Sequence, residues 1–142
     1  MDETPWMNVA KAELGQAELP GEAENNPRIL EYLATTGKFK ADETPWCSAF
    51  ANWAMVKAGR KGTNSALARS WLKWGEPIEE PRYGCVVVFK RGNSAWQGHV
   101  GFFVKAEGDR IVVLGGNQGD KVSIAPRSKS DLLGYRWPGP KG

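Results

Sequence analysis

Residues 42–50 read Asp42-Glu43-Thr44-Pro45-Trp46-Cys47-Ser48-Ala49-Phe50, an order that predicts the start of a helix with a thiol in its first turn. Thr44 has an N-cap side chain. Pro45 suits the first helical position, where its fixed φ is preorganised and its missing N–H would have had no partner. Cys47 is then the third helical residue. Unsatisfied backbone N–H groups and the positive end of the helix dipole favour a thiolate there, predicting a pKa below the ~8.5 of a free cysteine. The residue has a second reading. Cys47, Phe50, Ala51, Ala54 and Ala58 form an apolar stripe at helical spacing, and free cysteine is among the most buried residue types, so a structural thiol fits the same pattern.

Outward from this helix, the N-terminal half reads helical and the C-terminal half reads as strands. Thr4-Pro5 opens a helix with Met7, Ala10 and Leu14 on one face, ending at Gly15; Asn26-Pro27 opens another carrying Ile29, Leu30 and Leu33, stopped by Gly37. The pentad Asp2 to Trp6 recurs as Asp42 to Trp46, one capping solution used twice. The cysteine helix closes at Gly59, and Asn64 opens a fourth helix with Leu67, Trp71 and Trp74 on one face before Gly75. After a turn over Pro77 to Pro81 the period changes. Val86-Val87-Val88-Phe89 is a short apolar run, as a strand buried on both faces would be. His99 to Val104 and Arg110 to Leu114 predict a hairpin around Glu107-Gly108-Asp109, followed by strands at Val122 to Ile124 and Leu133 to Trp137. Helices first and an antiparallel meander afterwards predict an α+β fold with helices on one face of the sheet.

The 142 residues are expected to form one catalytic domain, 1–142, with its core at about 4–137. Nineteen Lys and Arg against sixteen Asp and Glu give a net charge of +3. These basic residues are scattered, without the dense patch that would track a phosphate backbone, so no nucleic-acid partner is expected. No stretch approaches the ~20 apolar residues of a membrane span. Two cysteines and one histidine, without CxxC or HxxxH spacing, exclude most zinc sites; no metal and no cofactor are expected. A Cys47 to Cys85 pair is arithmetically possible, but reduced thiols are expected.

His99 is the single histidine and the one side chain whose unperturbed pKa lies near neutrality. If Cys47 needs a base, His99 supplies it. The hairpin offers a third member. With a three-residue turn centred on Gly108, Asn117 faces His99; with a two-residue Gly108-Asp109 turn, Gln118 does. Either amide could fix the imidazole tautomer. Gly115-Gly116-Asn117-Gln118-Gly119 is equally the composition of a tight turn. Trp46 and Trp96 flank the two reactive residues in sequence and are candidate substrate contacts, although tryptophans in a small domain commonly serve the core.

Pro45-Trp46-Cys47-Ser48-Ala49-Phe50, the later Gly84-Cys85-Val86-Val87-Val88-Phe89, Gly98-His99-Val100-Gly101 and Gly115-Gly116-Asn117-Gln118 together resemble the papain-like bacterial cell-wall hydrolases of the NlpC and CHAP (cysteine, histidine-dependent amidohydrolase/peptidase) types, above all their small phage and prophage members. The resemblance runs from about Trp6 to Trp137 and includes Gly15-Gln16, Asn25 to Leu30 and Ala68-Arg69-Ser70-Trp71. It implies a papain-like fold, Cys47 as nucleophile, His99 as base and a third polar residue, Asn117 or alternatively Gln118, acting on an amide of peptidoglycan by way of a thioester. Two positions depart from the pattern: Cys85 stands where an aspartate is usual, and no glutamate lies near the third position. A papain-like acyltransferase, a deamidating effector and a non-catalytic wall-binding module are the alternative readings. The acidic Met1 to Pro5 does not read as a signal peptide. The expectation is therefore a monomer, held in the cytoplasm of the producing cell until a holin or a virion tail delivers it to the wall.

Overall fold

The computed structural model describes residues 4–17, 27–35, 46–65, 67–92, 97–119 and 121–138. Three helices come first: α1 (Pro5–Lys11), α2 (Pro27–Ala34) and α3 (Cys47–Lys57). A 3₁₀ segment, Ala68–Lys73, leads into six strands: β1 (Glu76–Ile78), β2 (Val86–Lys90), β3 (Gly98–Glu107), β4 (Arg110–Gly115), β5 (Ser123–Ser128) and β6 (Leu132–Trp137). They form one antiparallel sheet in the order β1-β6-β2-β3-β4-β5. The expected meander holds from β2 to β5. The last strand then returns to the far side of β2, and β1, read from sequence as a turn, pairs with it at the edge.

The α+β, papain-like arrangement expected from sequence is present, with the helices against one sheet face. Val86, Val88, Val100, Phe102 and Leu114 point into the core shared with Trp6, Met7, Phe50 and Met55. The alternate residues Cys85, Val87, Phe89, Phe103, Ile111, Val113 and Tyr135 form a second apolar layer on the opposite face. Strand β2 is therefore buried on both sides, which is why its sequence is an unbroken apolar run rather than an alternation. Each such fully buried valine or phenylalanine contributes roughly 1.5–3 kcal/mol.

Helix α3 is enclosed on all sides: every residue from Cys47 to Met55 is buried. Its polar members are satisfied inside. Ser48 Oγ donates to the Ser65 carbonyl at 2.6 Å and accepts from Trp71 Nε1 at 2.9 Å. Asn52 Oδ1 accepts from the Asn64 amide at 2.9 Å. This belt ties the helix to the loop after it and to the 3₁₀ segment.

Several expected boundaries shift. Pro5 begins α1 as predicted, but the helix ends at Lys11 and Leu14 lies beyond it, 42% exposed. Asn64 begins no helix; it adopts a left-handed φ of 58°, and the predicted fourth helix is the shorter 3₁₀ turn. Trp71 is buried there, while Leu67 is half exposed. Thr44, Pro45, Asn26 and Gly37 lie outside the described residues.

Candidate active site

Helix α3 begins at Cys47, with Trp46 in the capping position and no side chain bonded to the cap. The thiol is thus the first helical residue instead of the third, and it is 2% exposed. Its sulfur is hydrogen-bonded by the backbone N–H groups of Val100, on β3, and of Ser48. Val100 follows His99 directly, so the start of α3 abuts the strand that carries the single histidine.

His99 is completely buried, opposite Phe89 in the β2–β3 ladder. Its Nε2 lies 2.9 Å from Gln118 Oε1. The direction of that bond follows from the rest of the amide. Gln118 Nε2 donates to the Val113 carbonyl at 3.2 Å and to the Ser123 carbonyl at 2.9 Å, and carbonyl oxygens only accept. The amide nitrogen is committed to them, its oxygen faces the ring, and His99 Nε2 must carry the proton. Nδ1 then holds the lone pair. Among the described residues that atom has no hydrogen-bond partner although it is buried, so Cys47 and the imidazole share no direct bond in this resting arrangement and are linked through the Val100 amide, which follows His99 and bonds the sulfur.

Gln118 reaches His99 through an irregular hairpin. Glu107 pairs with Arg110, making Gly108-Asp109 a two-residue turn, and opposed positions add to 217 as far as Lys105 and Val112. Val104 is then extra, and from Phe103–Val113 onward the sum is 216. Continued, that register would oppose His99 and Asn117, the residue expected in the third position. The β3–β4 ladder stops at Phe102 and Leu114 instead. Asn117 turns the chain with a φ of 59°, and Gln118 folds back beneath it, its amide N–H bonded to the Lys121 carbonyl at 2.9 Å. The imidazole's partner is accordingly Gln118 and not Asn117. The two preceding glycines make the room. A Cβ on Gly115 would stand 3.5 Å from His99 Nε2, and one on Gly116 would come within 2.7 Å of Phe50 Cβ and 2.8 Å of the Trp46 ring.

Burial sets the electrostatics. It pushes the Cys47 thiol above its ordinary value, outweighing the Val100 and Ser48 N–H groups and the positive charges of Arg91 and Arg127. The depressed pKa expected from a helix-start position is not found, because desolvation of the thiolate exceeds what the N–H groups return. Burial also lowers His99 to about 3, helped by Arg127 and Arg91 and opposed by the Gln118 hydrogen bond. Thiol and imidazole are therefore both neutral at rest. The same two guanidinium groups act on both, which gathers Cys47, His99, Arg91 and Arg127 into one region. Sequence reasoning missed the two arginines. Nothing in the sequence signals Arg127: on β5 the apolar Ile124 faces solvent while Ser123, Ala125 and Arg127 are half-buried.

Trp46, expected to meet substrate, is 1% exposed, stacked on Tyr32 and pressed against Gly116. It packs the start of α3 and presents no face to a ligand. Trp96 lies outside the described residues. Both cysteines are free, and burial raises Cys85 to about 11. The described residues contain no group of three or more His, Cys, Asp or Glu arranged to hold a metal ion, and no helix among them is long and apolar enough to cross a membrane.

A helix-borne cysteine beside an antiparallel sheet that carries a histidine and an amide partner defines a papain-like thiol-hydrolase architecture. Residues 39–117 match the CHAP domain, more than half of the chain, and the protein belongs to that family of cysteine amidases and peptidases. Among solved structures it is similar to a lipoprotein-like NLP/P60 family protein from Staphylococcus aureus subsp. aureus Mu50, with a TM-score of 0.59 and 18% identity over 99% of this chain and 43% of that one. It is also similar to the wild-type endolysin LysIME-EF1, with a TM-score of 0.54 and 17% identity over 79% of this chain and 63% of that one. The chain thus spans less than two thirds of either protein, and at these identities the likeness is one of fold. No curated protein matches the sequence.

Proposed function

We propose that the chain is a peptidoglycan hydrolase in which Cys47 cleaves an amide bond of the wall peptide through a thioester. The observation that carries this reading is the fixed tautomer of His99. With Gln118 Oε1 accepting from Nε2–H, the free base is Nδ1, on the strand whose next amide already bonds the Cys47 sulfur. In a CHAP domain these groups have a single economical use.

The chemistry follows from the neutral resting pair. As the substrate carbonyl approaches, the Cys47 proton passes to His99 Nδ1 and the sulfur attacks the carbonyl carbon. Backbone N–H groups at the start of α3, which lack intrahelical acceptors, stabilise the developing oxyanion. The tetrahedral intermediate collapses to a thioester while imidazolium protonates the departing amine. Water, deprotonated by His99, then releases the acid and restores the thiol. Gln118 holds the ring throughout, and its oxygen favours the imidazolium. The reading extends to a single catalytic unit that leaves the producing cell's cytoplasm by holin release or virion delivery and acts on the wall.

The test is digestion of purified sacculi by the wild-type chain and by Cys47→Ala, with mass spectrometry of the soluble fragments. The proposal expects new amino and carboxyl ends at one amide, either the muramoyl–L-alanine bond or one within the stem peptide or crossbridge, from wild type and none from the variant. Release of reducing sugar ends alone would contradict it.

A further inference from the structure

Beside the His99 partner lies an open hollow of about 380 Å³, lined by Gln118 together with Arg110, Arg127, Ser128 and Asp131. Its floor is continuous with the reactive centre, since Gln118 both lines it and holds the imidazole. Its charge is unbalanced. Two guanidinium groups face one carboxylate, and among the described residues neither Arg110 nor Arg127 is joined to an acid by an ion pair. Arg127 is half-buried on β5; the Asp131 carboxylate of the same hollow attracts it but forms no ion pair with it, so part of its charge is left for an anion to meet.

We infer that this hollow is a substrate subsite in which Arg127, assisted by Arg110, binds a carboxylate of the peptide being cleaved. The inference rests on the proposed peptidoglycan hydrolase reading and names the part of the substrate that this chain recognises. Guanidinium presents paired N–H donors that match the two oxygens of a carboxylate, and a charge-assisted bond of this kind is about twice as strong as a neutral one. The position is apt. Gln118 links the hollow to His99, so a carboxylate held there sits beside the residue that orients the base and helps to set the register of the scissile amide. It would also offset the positive charge that disfavours protonation of His99, so that the base strengthens when the correct peptide is bound.

The experiment measures binding apart from cleavage. The full chain carrying Cys47→Ala is titrated calorimetrically with a purified stem tetrapeptide muropeptide and with the same muropeptide converted to carboxamides. The inference predicts that the free-acid form binds about tenfold tighter at low salt, equivalent to roughly 1.4 kcal/mol, and that the advantage shrinks as salt is added. Arg127→Gln in the same background should remove most of the preference for the free acid, and Arg127→Lys should keep part of it. Muropeptides amidated only at the terminal or only at the side-chain carboxylate assign the group recognised. Equal affinity for the acid and carboxamide forms, including no measurable binding of either, overturns the inference, as does a preference that survives in the combined Arg110→Gln, Arg127→Gln protein. Cleavage of sacculi by a protein that does not discriminate would remove this subsite alone; discrimination without cleavage would remove the hydrolase reading alone.

Discussion

Gln118 Oε1 stands 2.9 Å from His99 Nε2, and the nitrogen of the same amide is fixed by the carbonyls of Val113 and Ser123. One side chain therefore joins the end of β4, the start of β5 and the imidazole on β3. It sets the ring's orientation and its tautomer together.

Gln118→Ala should lower turnover by about 10²-fold or more, within the range that a correctly held general base contributes. It should also cost about 1–3 kcal/mol of stability by leaving the buried Val113 carbonyl and the half-buried Ser123 carbonyl short of a donor. Asn117→Gly tests the neighbour. Glycine tolerates the left-handed φ of 59°, so turnover and melting temperature should stay near wild type. Steady-state kinetics and thermal melts of the two variants decide the assignment; comparable losses of turnover in both would show that the turn, and not the Gln118 amide, is what matters.

The buried histidine predicts a pH signature in stability. Its pKa is lowered from 6.5 to about 3 on folding, so the unfolded chain takes up the proton first as pH falls. The stabilisation from keeping it neutral is fully present above about 6.5 and is lost as pH drops toward 3. Denaturant titrations of wild type and His99→Gln should therefore converge through that window, at up to about 1.4 kcal/mol per pH unit. Carboxylates common to both proteins cancel in the difference. A difference that stays constant from pH 7 to pH 4 would mean that His99 is not sealed from water.

Much of this architecture is legible in the sequence, and the parts that are not have physical causes. The apolar run Val86 to Phe89 and the two apolar segments flanking Gly108 announce β2 and the β3–β4 hairpin because burial dictates them directly. The partner of His99 is not legible to the residue. A bulge at Val104 changes the register by one, and no side chain at that position declares it. Likewise Cys47 at a helix start suggests a low pKa, but the enclosure of α3 by Trp46, Phe50 and Tyr32 reverses the sign, and burial depends on packing remote in sequence. Arg127 goes unread because β5 inverts the usual pattern, with Ile124 exposed and Arg127 half-buried.

Gly116→Ala probes the contact that seats the thiol against the sheet. The added Cβ would meet Phe50 Cβ and the Trp46 ring at 2.7 and 2.8 Å, closer than real contacts allow, so the start of α3 and the β4–β5 turn must move apart. The expected cost is about 1–3 kcal/mol of stability, together with a fall in turnover at temperatures where the protein is still folded. Wild-type turnover in a destabilised but folded Gly116→Ala protein would show that the spacing between α3 and the β4–β5 turn is not critical.

The central claim is that Cys47 forms the covalent intermediate. Wild-type protein is mixed with muropeptides from purified peptidoglycan, quenched in acid within the first turnover, digested and analysed by peptide mass mapping. The account predicts an acyl adduct on the peptide containing Cys47, none on that containing Cys85, and loss of the adduct in His99→Ala. An acyl group on Cys85, or undiminished cleavage by Cys47→Ala, would contradict it.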